Sequence, residues 1–238
     1  MSATIHLDGA EPLTLATVRT VNELCDRAED TSSPVPVLLR LGGAPADARA
    51  KESKPAVPAL AVVSKWERAL RRLERLDHPV IAVIGGEGAS GRECGGTALD
   101  AMLTADFRIA AADVRLIAPW GPGGVWPGMA LYRLVNQGGA AVRRTVLFGA
   151  PIAARDALAA HLLDQVAEDP DAALAEVCDR LTTACEDLGM RRQLMFDAGN
   201  VSFEEALGRH LAACDRVLRL AGAGDGAEAA EMPLGAAR

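Results

Sequence analysis

The segment spanning residues 78–109 limits most strongly what this chain can fold into. It predicts a buried strand at 80–84, a glycine-rich turn, a helix that opens at Gly95-Gly96 and a second strand after Asp106. The first N–H groups of a helix lack intrahelical partners and carry partial positive charge, and glycines let a ligand approach the backbone. Asp100 lies one turn inside this helix. The segment therefore predicts oxyanion donors beside an acid/base carboxylate.

Composition favours a single α/β domain of ordinary size. Half of the 238 residues are hydrophobic and only 3% are aromatic, as is typical of Ala-rich helices packed on a sheet. The net charge of −7 disfavours a phosphate backbone as partner, and the few aromatics offer no stacking platform for single strands. We therefore expect no nucleic-acid partner.

The cysteines and histidines show no metal-ligand spacing. The five cysteines form no CxxC pair and the four histidines form no HExxH motif, so we expect no metal site. The first residues lack the charged and apolar regions of a signal peptide. No apolar run approaches the roughly 18 residues that a membrane span needs. The expected location is the reducing cytoplasm, without membrane contact.

Strand and helix patterns alternate along the chain, which predicts βαβ units on a parallel sheet. Further strands are predicted at 3–8, 35–41, 107–111 and 114–119, and helices at 59–76, 95–104 and 129–148. Thr14 or Thr17 is expected to cap a helix that ends near Asp30. The predicted organisation is an α/β core over residues 1–168, a helical region over 169–220 and a disordered tail over 221–238.

The predicted helix at 59–76 carries a cluster of arginines. Arg68, Arg71, Arg72 and Arg75 are interleaved with Glu67 and Glu74. The simpler interpretation is a solvated helix face, and the functional alternative is a phosphate contact.

Several motifs appear in an order that resembles the crotonase (enoyl-CoA hydratase/isomerase) superfamily. They are HPVIA at 78–82, DFRIAA at 106–111, PG at 127–128, LYRL at 131–134 and LFGAPI at 147–152 with the helix that follows to 163. The resemblance implies a crotonase-like spiral of ββα units with a helical C-terminal region. It also implies an acyl-CoA ligand, with coenzyme A as part of the substrate and no separate cofactor, and a homo-trimer or hexamer.

Family members polarise a thioester carbonyl with two backbone N–H groups, and one such donor is worth roughly 3–4 kcal/mol. By resemblance, one oxyanion donor falls at the helix start, on Gly96 and Thr97. The other would come from Gly43, with Gly42 and Ala44 as alternatives, since the family's Ala-Gly-Ala-Asp motif is not clearly present.

Family hydratases carry a glutamate at each of two acid positions, and this chain has a different residue at both. The first falls on Asp100, a shorter carboxylate, and the second falls on Trp120, which cannot transfer protons. If the alignment gap were placed later, Cys94 would take the first position. The glycine turn also carries about six extra residues, and Glu87 and Glu93 within it are candidates for the missing acid.

Trp120 and Trp126 flank a glycine-rich loop and are candidate walls of an aromatic acyl pocket, with ordinary core packing as the alternative. The helix start and the WPGMALYRL and WERALRRLERL segments resemble the hydratase-like proteins of the dihydroxyphenylglycine pathway, which work beside a type III polyketide synthase. That resemblance implies dehydration of a polyketidyl-CoA toward 3,5-dihydroxyphenylacetyl-CoA, with Asp100 as the single acid/base. The alternatives are an auxiliary protein that assists the synthase and, less favoured, a fatty-acid hydratase.

Overall fold

A parallel sheet forms the centre of the computed structural model, which describes residues 3–31, 35–44, 58–118, 128–184, 188–199 and 201–229. The strands of this five-stranded sheet are β1 (Thr4–Asp8), β2 (Val37–Gly42), β3 (Val80–Ile84), β5 (Phe107–Ala111) and β8 (Gln165–Ala167). They lie in the order β1-β2-β3-β5-β8, and every neighbouring pair is parallel. The prediction of βαβ units on a parallel sheet is confirmed, and the strand predicted at 3–8 lies at one edge of the sheet as β1.

A smaller, three-stranded sheet lies next to the end of β2, where Gly43 pairs with Cys94. Its strands are β4 (Glu93–Cys94), β6 (Arg115–Leu116) and β7 (Ile152–Ala153), with β4 parallel to β6 and β6 antiparallel to β7. The strand predicted at 114–119 is therefore much shorter, because both of its partners are only two residues long.

The helices of the α/β unit have the following bounds: α1 (Leu15–Glu29), α2 (Leu60–Glu74), α3 (Gly96–Met102), α4 (Ala130–Gly138), α5 (Arg143–Phe148), α6 (Ala154–Ala159) and α7 (Pro170–Ala184). Thr14 caps α1 as predicted, and its side chain forms a capping box with Thr17. A short 3-10 helix (Gly139–Val142) separates α4 from α5, so the helical segment predicted at 129–148 is divided in two.

The two faces of the large sheet bury different layers. Alternate residues of β2, Val37, Leu39 and Leu41, join the main core, together with the buried faces of α1, α2 and α3. Ile81 and Val83 of β3 point to the other face and pack with residues of α7. Helix α7 therefore packs on the sheet, although the sequence grouped it with the C-terminal helical region.

Contacts divide the chain into two compact units, Met1–Gly189 and Met190–Arg238. The second contains most of α8 (Leu188–Ala198) and α9 (Phe203–Ala229). Helix α9 continues through Ala229, beyond residue 221 at which the sequence predicted disorder to begin. No helix among the described residues is long and apolar enough to cross a membrane.

Candidate functional site

The ends of β1 and β2 meet the start of α3 at the carboxyl edge of the sheet. The Gly9 N–H donates to the Gly42 carbonyl at 2.7 Å, and the Gly95 N–H donates to the Gly43 carbonyl at 2.9 Å. We call this meeting point, formed by Gly9, Gly42-Gly43 and Gly95-Gly96, the glycine crossing. It joins three segments that are distant in the sequence.

Glycine is required at the crossing because the backbones approach so closely. A Cβ on Gly9 would lie 2.1 Å from the Gly95 carbonyl oxygen. Gly43 has a φ of +74°, and a Cβ there would lie 1.9 Å from Oδ1 of Asp8. Neither position has room for a side chain, so the geometry of this edge depends on these residues.

The crossing places the predicted oxyanion residues next to one another. Gly95 caps α3, Gly96 has a φ of +49°, and Gly43 pairs with Cys94 beside them. The N–H groups of Gly96 and Thr97 belong to the first helical turn, where no intrahelical acceptor exists. The Thr97 hydroxyl donates to the Asp8 carbonyl at 3.4 Å, which ties the helix start to the end of β1.

Asp100 lies one turn further along α3 and is completely buried. Its Oδ2 accepts a hydrogen bond of 2.9 Å from the indole Nε1 of Trp66 on α2, whose side chain is also completely buried. An indole N–H can only donate, so this contact orients the carboxylate. This role of Trp66 was not predicted, because a tryptophan on an apolar helix face has the pattern of a core residue.

Cys94, the alternative acid position, is also fully buried. Its burial, and after that the charge of Asp100, raise the pKa of the Cys94 thiol far above its usual range. A thiol that keeps its proton at neutral pH is a poor base and a poor nucleophile. The surroundings therefore favour Asp100 over Cys94 for proton transfer.

The extra residues of the glycine turn form a loop over 85–92, which we call the insertion loop. Its Glu87 N–H donates to Oδ2 of Asp171 on α7 at 2.7 Å, and its Glu87 carbonyl accepts from Arg40 of β2 at 3.2 Å. Arg40 and Asp171 form an ion pair of 2.5 Å. The loop is thus anchored by charged groups from two other elements.

The insertion loop covers the end of β2 on the sheet face that α7 also covers. A Cβ on Gly42 would lie 2.9 Å from the Ser90 nitrogen, and one on Gly88 would lie 2.9 Å from Cε1 of His6. Of the two candidate acids, Glu87 is exposed, and Glu93 pairs with Arg115 at 2.5 Å.

The glutamates of α2 are less solvated than the sequence predicted. Glu67 and Glu74 each bind the buried guanidinium of Arg133 on α4 at 2.9 Å, and Glu67 also accepts the Met129 N–H. This part of the arginine-rich helix is a packing surface for α4, so the interpretation as a wholly solvated face is corrected.

Two predicted pocket residues, Trp120 and Trp126, lie outside the described residues. Over the part of the chain that the structure describes, no group of three or more His, Cys, Asp or Glu side chains has the arrangement of a metal site.

No protein-family model matches the chain. An enoyl-CoA hydratase of Amycolatopsis orientalis is 47% identical over 220 residues, which cover 90% of this chain and 95% of that protein.

Solved structures show the same architecture at low identity. An enoyl-CoA hydratase from Bacillus anthracis matches with a TM-score of 0.74 at 19% identity, covering 96% of this chain and 93% of that chain. An enoyl-CoA hydratase/isomerase from Marinobacter aquaeolei matches with a TM-score of 0.71 at 17% identity, covering 92% and 89%. These likenesses show the fold, and the 47% identity shows the family. The chain belongs to the crotonase, or enoyl-CoA hydratase/isomerase, family.

Proposed function

We propose that this protein removes water from a β-hydroxyacyl-CoA thioester, with Asp100 as its acid/base. The observation that carries the proposal is the buried carboxylate of Asp100, oriented by Trp66 one turn inside the helix that starts at the glycine crossing. Coenzyme A would enter as part of the substrate, with no separate cofactor.

The proposed reaction needs only one carboxylate. Asp100 takes the proton from the carbon next to the thioester, and the electron pair moves to the carbonyl oxygen. N–H groups of Gly96 and Thr97, with one near Gly43, hold that enolate oxygen. As the enolate collapses, the β-hydroxyl leaves with the proton that Asp100 returns, so that water and the unsaturated thioester are released.

The proposed substrate is a cyclised polyketidyl-CoA, and the product is 3,5-dihydroxyphenylacetyl-CoA. Loss of water from such a ring is driven by aromatisation, so one acid/base suffices where hydration of a simple alkene uses two. The position of Trp120, where family hydratases carry their second acid, supports this substrate over a fatty acyl chain. Trp120 and Trp126 remain the proposed walls of the acyl pocket.

An Asp100→Asn variant tests the enzyme role. We expect its turnover of β-hydroxyacyl-CoA or polyketidyl-CoA to fall at least about 100-fold, because an amide cannot accept the proton. Asp156→Asn is the matched control: it makes the same change at an exposed carboxylate in the first turn of α6, and we expect it to keep full activity. Undiminished turnover of a folded Asp100→Asn protein would refute the role of Asp100.

A second candidate function is that of an auxiliary protein for a type III polyketide synthase. It is favoured by the tryptophan at the second acid position and by the altered loop after β2. Purified protein that accelerates the synthase, but does not turn over free thioester, would support this function. Dehydration by the purified protein alone would exclude it.

We also propose a homo-trimer or hexamer in the cytoplasm. The C-terminal unit supports association because α8 and α9 expose large apolar side chains, among them Met195, Phe203 and Leu218 at 65%, 75% and 70%. Apolar surface of this kind marks an interaction site. Sedimentation or light scattering that gives a monomer at working concentration would contradict the proposal.

A further inference from the structure

An open groove of about 740 Å³ runs between α1 and α2, and no residue of the glycine crossing is among its lining residues. Its lining is made of one stripe from each helix: Leu15, Val18, Arg19 and Asn22 from α1, and Lys65, Arg68, Ala69 and Arg72 from α2. Among the residues that the structure describes, no carboxylate lines it. Its volume falls in the range of roughly 300–1,000 Å³ that is typical of small-molecule sites.

Three cations in the groove have no anionic partner among the described residues. Arg19, Lys65 and Arg68 are exposed, and each lacks a carboxylate within ion-pair distance. Three uncompensated positive charges in one concavity stand out in a chain whose net charge is −7.

Arg72, in the same stripe of α2, differs from these three residues because it has anionic partners. It binds Asp26 at 2.7 Å and Glu29 at 2.6 Å, both on α1. The end of the groove near Arg72 is therefore neutralised, while the end near Arg19, Lys65 and Arg68 stays positive.

The floor of the groove is apolar. Val18 and Ala69 are buried beneath it, and Leu15 is 48% exposed at its end. The Asn22 amide is engaged, since it donates to the Val18 carbonyl at 3.0 Å. A ligand here would meet an apolar surface on one side and guanidinium and ammonium donors at the rim.

We propose that this groove binds a phosphorylated small molecule of the nucleotide class. Its phosphate oxygens contact Arg19, Lys65 and Arg68, because guanidinium and ammonium groups form charge-assisted bonds with phosphate. Its ring or aliphatic part rests on Leu15, Val18 and Ala69. The phosphate can come from the coenzyme A of a thioester or from a separate nucleotide.

Calorimetric titration of the full chain with pyrophosphate, ADP and coenzyme A tests the site. We expect Arg68→Gln and Arg19→Gln each to weaken binding about tenfold, the loss of one hydrogen bond to a charged group. Arg71→Gln is the control, since Arg71 is on the same helix but pairs with Glu74 outside the groove, and we expect it to keep the wild-type affinity.

The probes also separate the two sources. Weaker binding of coenzyme A in Arg68→Gln assigns the phosphate to the thioester substrate. An effect on ADP and pyrophosphate alone assigns it to a separate nucleotide.

Three results would overturn the proposal. One is the absence of binding of all three probes at millimolar concentration. Another is an equal loss in Arg71→Gln, which would indicate general charge attraction. The last is binding of an acidic peptide such as polyglutamate without binding of any phosphate probe, which would indicate a protein partner instead.

Discussion

The glycine crossing and the insertion loop both contact the end of β2, but different forces hold them in place. At the crossing, backbones approach so closely that a Cβ on Gly9 would lie 2.1 Å from a carbonyl oxygen. The insertion loop is exposed at Glu87 and is held by an ion pair between Arg40 and Asp171. The glycine crossing therefore requires residues without side chains, whereas the insertion loop is held in place by charged side chains.

The crossing should respond most strongly to added volume. Gly9→Ala is expected to lower the free energy of unfolding by about 3 kcal/mol or more, since the new methyl group meets fixed backbone atoms. Gly208→Ala is the control, because a Cβ there meets nothing within 4 Å and alanine favours a helix by about 1 kcal/mol. Urea unfolding measures both. Equal effects of the two variants would show that the crossing is not tightly packed.

Trp66→Phe tests how much the hydrogen bond from the Trp66 indole to the buried Asp100 carboxylate contributes to stability. The variant keeps most of the aromatic volume but removes the N–H that binds Asp100. We expect a loss of about 2 kcal/mol in unfolding free energy, the cost of removing a hydrogen bond from a buried charged group.

A double-mutant cycle with Asp100→Asn provides the control for this variant. The effect of Trp66→Phe should become smaller once the carboxylate is an amide. Additive losses in the double variant would show that the two side chains do not act together.

The insertion loop should respond to charge and pH with a smaller effect. Although partial burial raises the pKa of Asp171, the bonds from Arg40 and the Glu87 N–H lower it, and the net effect is a pKa below the usual range. The stabilisation is therefore present at neutral pH and is lost as pH falls through the folded-state pKa.

Arg40→Gln should consequently cost about 1 kcal/mol at neutral pH, as expected of a partly exposed ion pair. Amide hydrogen exchange at 86–91 should become faster in this variant, with little change at 95–100. The difference from wild type should shrink under acid conditions. If exchange accelerates equally at both segments, the two regions are not held independently.

Local patterns predicted most of the fold. The cap at Thr14, the buried strand β3 and the helix that carries Asp100 all follow from residues close together in the sequence. The bond between Trp66 and Asp100 was missed because Trp66 has the same apolar spacing as its core neighbours. Asp171 was missed because it lies 131 residues from Arg40, and no periodicity links such distant positions.

The short strand β6 and the long helix α9 differ from prediction for other reasons. Strand β6 ends after two residues because its neighbours β4 and β7 each pair with only two of its residues. In α9, the segment after residue 220 has the simple composition of a disordered tail, yet it is rich in alanine, the strongest helix former. Composition alone does not separate these two outcomes.

Because Cys94 is buried beside Asp100, the rate at which its thiol is labelled reports how often the surrounding structure opens. Alkylating reagents attack the thiolate, so the buried Cys94 can react only when its surroundings open and water enters. Cys214 is exposed and reacts without such motion. The ratio of the two labelling rates therefore reports how often the surroundings of Asp100 open to solvent.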